Sequence, residues 1–156
     1  MTTTLPEGYT LSTDPARLDL NVIHGFISQS YWAKGMPREL VDRMVKNSLC
    51  FGVYHATGQV GFARVISDYT TFAYVADVFV LSEHRGRGLS KALVQAILAH
   101  PDLQQLRRWM LVTLDAHGLY EQHGFKPVAH PERHMEIHQP GIYEKLTSPP
   151  EPQPKA

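Results

Sequence analysis

The chain has 156 residues, 43% of them hydrophobic and 19% charged, which fits one globular domain with a sizeable core and excludes disorder as its main state. Fifteen basic and fifteen acidic residues give zero formal charge, so there is no overall electrostatic footprint for nucleic acid or an anionic membrane. The single cysteine, Cys50, excludes an internal disulfide and a cysteine-built zinc site and points to a reducing, cytoplasmic setting.

The first residues, Met1 to Glu7, have no basic start and no apolar run, so no leader is expected. Tyr9 to Ser12 reads as a first strand. Leu18 to Gln29 carries Leu18, Val22, Ile23, Phe26 and Ile27 at helical spacing, with Asp14-Pro15 signalling the turn that leads in. Met36-Pro37 begins a second helix with Leu40, Val41, Met44 and Val45 on one face. Leu49 to Tyr54 and Val60 to Ile66 are β-prone, and the short connection with Gly58 makes them a hairpin.

Phe72 to Leu81 is the longest apolar stretch, broken by Asp77 and far too short to span a bilayer as a helix. It reads as a central strand. Gly86 to His100 is a helix striped by Leu89, Ala92, Leu93, Ala96 and Ile97 and ended by Pro101. Trp109 to Leu114 reads as a strand, Ala116 to His123 as a short helix closed by Gly124, and Phe125 to Val128 and His134 to His138 as last strands. The whole is an α/β mixed sheet flanked by helices, a single domain over 1–146. Residues 147–156 hold four prolines in ten positions and predict a disordered tail.

Chemistry concentrates between Asp77 and Leu93. A hydrophobic strand enters a basic, glycine-rich turn, Arg85-Gly86-Arg87-Gly88, and an amphipathic helix starts at once. Glycines let a backbone approach a ligand closely, and the first amides of a helix point at an anion that the helix dipole favours. With Arg85, Arg87 and Lys91 the turn suits a pyrophosphate; the plainer reading is a helix start with surface arginines. It has neither the Gly-Lys-Ser/Thr end of a Walker loop nor the three-glycine Rossmann spacing.

These residues resemble the GNAT superfamily of acyl-CoA-dependent N-acetyltransferases. Its Arg/Gln-x-x-Gly-x-Gly/Ala loop stands here as Arg85-Gly86-Arg87-Gly88-Leu89-Ser90, with Ser in the last place, after the strand end Val78-Phe79-Val80. Downstream, Leu119-Tyr120-Glu121-Gln122-His123-Gly124-Phe125 is similar to the family's Leu/Phe-Tyr-x-x-x-Gly-Phe segment. Ala116 matches the Ala upstream of it, while Thr113 stands where many members carry Asn. The resemblance spans about residues 9 to 138.

It implies a GNAT-like fold, a central splayed and mostly antiparallel sheet flanked by helices, and transfer of an acetyl group from acetyl-CoA to a primary amine by direct attack in a ternary complex. Arg85, Gly86, Arg87, Gly88, Leu89, Ser90 and Lys91 would hold the pyrophosphate. Val78, Phe79 and Val80 would pair with the pantetheine arm, the Val78 amide polarising the thioester carbonyl. Tyr120 would act as general acid, or its ring would simply pack beneath the cofactor. Asp77 would be base or amine ligand, or else the partner of a structural arginine such as Arg64. Asp115 and His117 form a second candidate pair near the site, or a helix cap. Tyr31 and Trp32 would wall the acceptor pocket, or pack on the hairpin. No metal, nucleic acid or membrane is expected, and a homodimer is in keeping with many relatives. The competing function is a non-catalytic acyl-CoA-binding sensor or subunit.

Overall fold

The computed structural model describes residues 4–147 together with Pro152, Pro154 and Lys155. Five strands form one sheet in the order β1-β2-β3-β4-β5: β1 Thr10–Ser12, β2 Leu49–His55, β3 Gly58–Ser67, β4 Phe72–Val80 and β5 Arg108–Met110. The first three pairings are antiparallel and the β4–β5 pairing is parallel. The helices are α1 Leu20–Ile27, α2 Arg38–Lys46, α3 Leu89–Ala99, α4 His117–Glu121 and α5 Ile142–Thr147. Among the described residues no helix is long and apolar enough to cross a membrane.

Local signals explain most of these boundaries. Asp14 caps a single 3-10 turn through the Ala16 amide at 2.9 Å, and Asp19 caps α1 through the amides of Asn21 and Val22. Pro37 precedes the first residue of α2. The Asp68 carboxylate ties the β3–β4 turn, accepting the amides of Thr70, Thr71 and Phe72 and the Thr71 hydroxyl. Those bonds, led by the hydroxyl, hold its carboxyl well below the usual carboxylate range.

The sheet is packed on both faces. On one, Phe51, Val53, Ala63, Val65, Ala73 and Val75 meet Leu89, Leu93 and Ile97 of α3. On the other, Cys50, Phe62 and Phe79 meet Ile23 and Ile27 of α1 and Val41 of α2. Burial pushes the Cys50 thiol up to about 12, in keeping with a small core hydrophobe.

The C-terminal third departs from the expected pattern. The strand expected over Trp109 to Leu114 keeps ladder pairing only as far as Met110, because β4 and β5 diverge there. Phe125 to Val128 and His134 to His138 have strand composition but form no strand, since neither finds a ladder partner. Helix α5 was not expected. Tyr143 packs against the α1–α2 side, and the Glu144 Cα lies 3.5 Å from where a Cβ on Gly35 would sit. Thr147, expected to open the tail, closes α5; most of the tail lies outside the described residues.

Candidate active site

Two strands that start together and then part create the central feature. β4 and β5 pair through Phe72 with Arg108, Ala73 with Trp109 and Tyr74 with Met110. β4 then continues to Val80, so its edge from Val75 onward has no strand beside it on that side. The opening is V-shaped, and an extended ligand arm could take the missing strand's place.

The open edge leads directly to the glycine-rich turn. After Val80 the Leu81 amide bonds the Val60 carbonyl at 2.8 Å, and Ser82–His84 makes one 3-10 turn. His84 Nδ1 and the Tyr9 hydroxyl lie 2.7 Å apart, which ties the turn to the N-terminal segment. The Arg85 Nε donates to the Val80 carbonyl at 3.0 Å, folding the loop back on the strand. Gly86 and Gly88 have φ of +74° and +77°, where an L side chain is strained. No side chain caps the start of α3 and no acidic residue occupies its first turn. The first amides, with Arg87 and Lys91 nearby in sequence, are therefore fit for an anion.

Asp77 occupies a bulge in β4. Arg64 lies opposite Ala76 and Phe62 opposite Phe79, so β4 has one residue more than β3 here. Asp77 takes that bend with φ +53°, an uncommon conformation for a non-glycine residue. Its Oδ2 accepts from Arg64 Nε at 2.7 Å and its Oδ1 from the indole Nε1 of Trp32 at 2.7 Å. Of the two readings of Asp77, the ion pair with Arg64 is thus present. The link to Trp32 connects it to the proposed acceptor wall.

Tyr31 and Trp32 are both exposed, edge to face at 5.0 Å. Trp32 lies 6.4 Å from the ring of Phe26, which stacks on Phe79 at 4.0 Å with the rings 8° from parallel. Tyr120 is buried, its ring edge to face with Phe125 at 5.8 Å. Burial, with a smaller contribution from the Tyr31 hydroxyl, pushes the Tyr120 phenol up to about 12. His117 and Tyr120 line a groove of about 280 Å³ together with Trp109 to Thr113 and Phe125 to Val128.

Asp115 is exposed and does not cap α4; the Thr113 hydroxyl accepts the Ala116 amide at 3.1 Å instead. Sequence reasoning missed this role for Thr113, although a Thr three residues ahead of a short helix is a signal for it. It also missed the Phe26–Phe79 stack and the Tyr9–His84 bond, which join residues far apart in sequence.

Fold and site together define a splayed, mixed-sheet domain with a basic, glycine-rich turn at the open edge. Comparison with known proteins agrees: the model of the acetyltransferase (GNAT) domain matches residues 46–127, just over half of the chain. An inferred acetyltransferase of Gibberella zeae, FG08082, is 34% identical, with 72% of this chain and 75% of that one covered. The crystal structure of an inferred acetyltransferase belonging to the GNAT family from Xanthomonas campestris pv. campestris is 55% identical. It superposes with a TM-score of 0.87 over 90% of this chain and 99% of that one. An inferred acetyltransferase of Clostridium acetobutylicum, solved with acetyl-CoA, shares the fold at a TM-score of 0.62 and 12% identity, over 83% of this chain and 94% of that one. The chain belongs to the GNAT acetyltransferase family.

Proposed function

We propose that this chain is an N-acetyltransferase that moves an acetyl group from acetyl-CoA to a primary amine in a ternary complex. Residues 1–146 would form the one domain that does so, in the cytoplasm. The observation that carries this reading is the continuity of the open β4 edge with the uncapped start of α3. A ligand with an extended amide-bearing arm and a pyrophosphate fits both at once. Arg85, Gly86, Arg87, Gly88, Leu89, Ser90 and Lys91 would hold the pyrophosphate, and Val78, Phe79 and Val80 the arm. Bound there, acetyl-CoA supplies an activated thioester carbonyl.

The chain's own groups then divide the work. The Val78 amide would stabilise charge developing on the carbonyl oxygen. The acceptor amine attacks that carbonyl; the C–N bond forms, the C–S bond breaks, and Tyr120 donates its proton to the departing sulfur. A phenol pushed up to about 12 stays protonated at neutral pH, as a general acid must. Asp77 would accept the amine's proton or bind the amine, with Trp32, which donates to it, and Tyr31 as the neighbouring wall. His117 and Asp115 remain the second candidates for accepting the amine's proton, directly or through water.

The test begins with thermal unfolding in acetyl-CoA, CoA and a control nucleotide. A ligand that binds only the folded state stabilises it by about 2.7 kcal/mol at a hundredfold excess over Kd. Stabilisation by both CoA species, followed by amine-dependent CoA release, is the expected result. Binding without release from any amine would make the chain an acyl-CoA sensor or subunit. No stabilisation by either species would remove the loop assignment and the enzyme reading with it.

A further inference from the structure

The glycine-rich turn between β4 and α3 has different supports at its two ends. On the α3 side Leu89 is buried and the Ala92 amide bonds the Gly88 carbonyl at 3.1 Å. Within the turn, Gly86 and Gly88 have nothing within 4 Å of where a Cβ would stand. On the β4 side two side-chain bonds hold the entry: Arg85 Nε to the Val80 carbonyl at 3.0 Å, and the 2.7 Å bond between the Tyr9 hydroxyl and His84 Nδ1. The second belongs to a cluster of three rings from three parts of the chain. Tyr9, 9% exposed, precedes β1; His55 ends β2; His84 ends the 3-10 turn before Arg85. Tyr9 and His55 lie 4.8 Å apart, Tyr9 and His84 meet edge to face at 5.7 Å, and His55 and His84 lie 5.3 Å apart. His55 Nδ1 is buried and has no hydrogen-bond partner among the described residues, so that atom adds no polar tie to the cluster. Tyr9 is placed from behind as well: its amide bonds the Pro6 carbonyl at 3.2 Å, and a Cβ on Gly8 would sit 3.6 Å from the His55 ring.

We propose that Tyr9 and His84 are positioning residues for the co-substrate, fixing the entry to the Arg85–Ser90 turn so that the first amides of α3 are aligned before the pyrophosphate of acetyl-CoA arrives. The inference rests on the acetyl-CoA reading given above. A turn with two glycines has many conformers when nothing ties it. An anion that must order such a turn binds less tightly than one that meets it already ordered. His84 is the residue next to Arg85, so its bond to Tyr9 acts at the point where that freedom would enter.

The pair acts on the ligand through the turn. Tyr9 and His55 belong to the β1–β2 side of the sheet, whereas the open edge of β4 faces the β5 side. The segment before β1, remote in sequence from the turn, thereby becomes part of the machinery that holds the co-substrate. Its effect is confined to one ligand: Trp32, Asp77 and Tyr120 make no bond to any member of the three-ring cluster.

A double-mutant cycle on CoA affinity tests it. Tyr9→Phe removes the hydroxyl and keeps the ring against His55; His84→Phe removes the ring nitrogen and keeps a ring. Each is expected to raise the Kd for CoA in calorimetry about tenfold, the scale of one hydrogen bond. The two together should lose no more than either alone, because they break the same bond. His84→Asn, whose amide can take the place of Nδ1, should recover most of the affinity. At saturating acetyl-CoA, kcat and the acceptor KM should match those of the unaltered chain. Tyr9→Phe leaves the packing intact and should melt cooperatively, so the affinity can be read on a folded protein. Unchanged CoA affinity in Tyr9→Phe, losses that add in the double variant, or equal losses in CoA affinity and kcat would each overturn the inference and leave the acetyl-CoA reading standing. An unaltered chain that binds no CoA would overturn both.

Discussion

The Asp77 carboxylate and the Arg64 guanidinium meet at 2.7 Å across the β3–β4 bulge, with only 5% and 14% of their side chains exposed. A second donor, the Trp32 indole, takes the other carboxylate oxygen. A mostly buried charge keeps its stability only while its partner remains. Arg64→Met is therefore expected to cost about 3 kcal/mol, read as a lower denaturation midpoint at unchanged slope. Adding Asp77→Asn to it should restore part of that loss, because the orphaned charge is then gone and Asn tolerates the φ of +53°. A single variant as stable as the parent would show the pair to be idle.

Trp32→Phe tests the link between this pair and acceptor binding. It keeps an aromatic ring on Phe26 but removes the donor to Asp77. The acceptor KM is expected to rise about tenfold, one charge-assisted hydrogen bond's worth, while the KM for acetyl-CoA stays put. Equal changes in both constants would point to a general collapse of the loop instead.

Tyr120→Phe removes the proposed acid and keeps the ring that packs on Phe125. Turnover is expected to fall by about 100-fold or more, in the range typical of general acid catalysis. Stabilisation by acetyl-CoA in a thermal melt should be nearly unchanged. An unaltered kcat would leave Tyr120 as a packing residue.

Gly88→Ala forces an L residue into φ +77° at the start of α3. Space is available for the methyl group, so the strain is in the backbone alone. A cost of about 1–2 kcal/mol follows from the left-handed conformation. If the first turn of α3 shifts to relieve it, CoA should bind more weakly in calorimetry than this cost would suggest. A variant of parental stability and affinity would show the loop to be free of that constraint.

Stability should fall at alkaline pH for a specific reason. Burial raises the Cys50 thiol from 9.0 to about 12 and the Tyr120 phenol from 10.0 to about 12, and Tyr54 and Tyr74 move the same way. Each folded value lies above its unfolded one, so the contribution is whole below about pH 9 and is lost as pH rises towards about 12. Each such group adds at most about 1.4 kcal/mol per pH unit to the slope. Cys50→Ala should flatten the profile between pH 9 and pH 10, before the phenols titrate; denaturation midpoints across this range decide it.

The elements legible from sequence are those whose signals are local. The stripe from Leu89 to Ile97 defines α3, and Arg85 to Ser90 defines the loop before it, because a helix and its first turn are specified by near neighbours. Strand ends depend on partners elsewhere. Nothing in Leu111 to Leu114 announces that β4 will have turned away, and nothing in Phe125 to Val128 says that its ladder will be missing. The left-handed turn at Asp77 is equally silent, since an acidic residue in an apolar run predicts a buried charge and not a bent backbone. Helix α5 was obscured by the prolines around it, although Ile142 and Tyr143 offered an apolar start.

The extra residue in β4 also decides which side of the sheet each later side chain reaches. Before it, odd-numbered Ala73 and Val75 face α3; after it, even-numbered Val78 and Val80 do, and odd-numbered Phe79 joins α1 and α2. The alternation changes phase at Asp77. Without the bend at Asp77, the same residues in a regular ladder would send Phe79 towards α3 and Val78 and Val80 to the opposite layer, exchanging the two cores along the open edge. The bend absorbs one residue of count, so deleting Asp77 should leave Val78, Phe79 and Val80 on their present faces, whereas a one-residue insertion between Val78 and Phe79 would invert those beyond it.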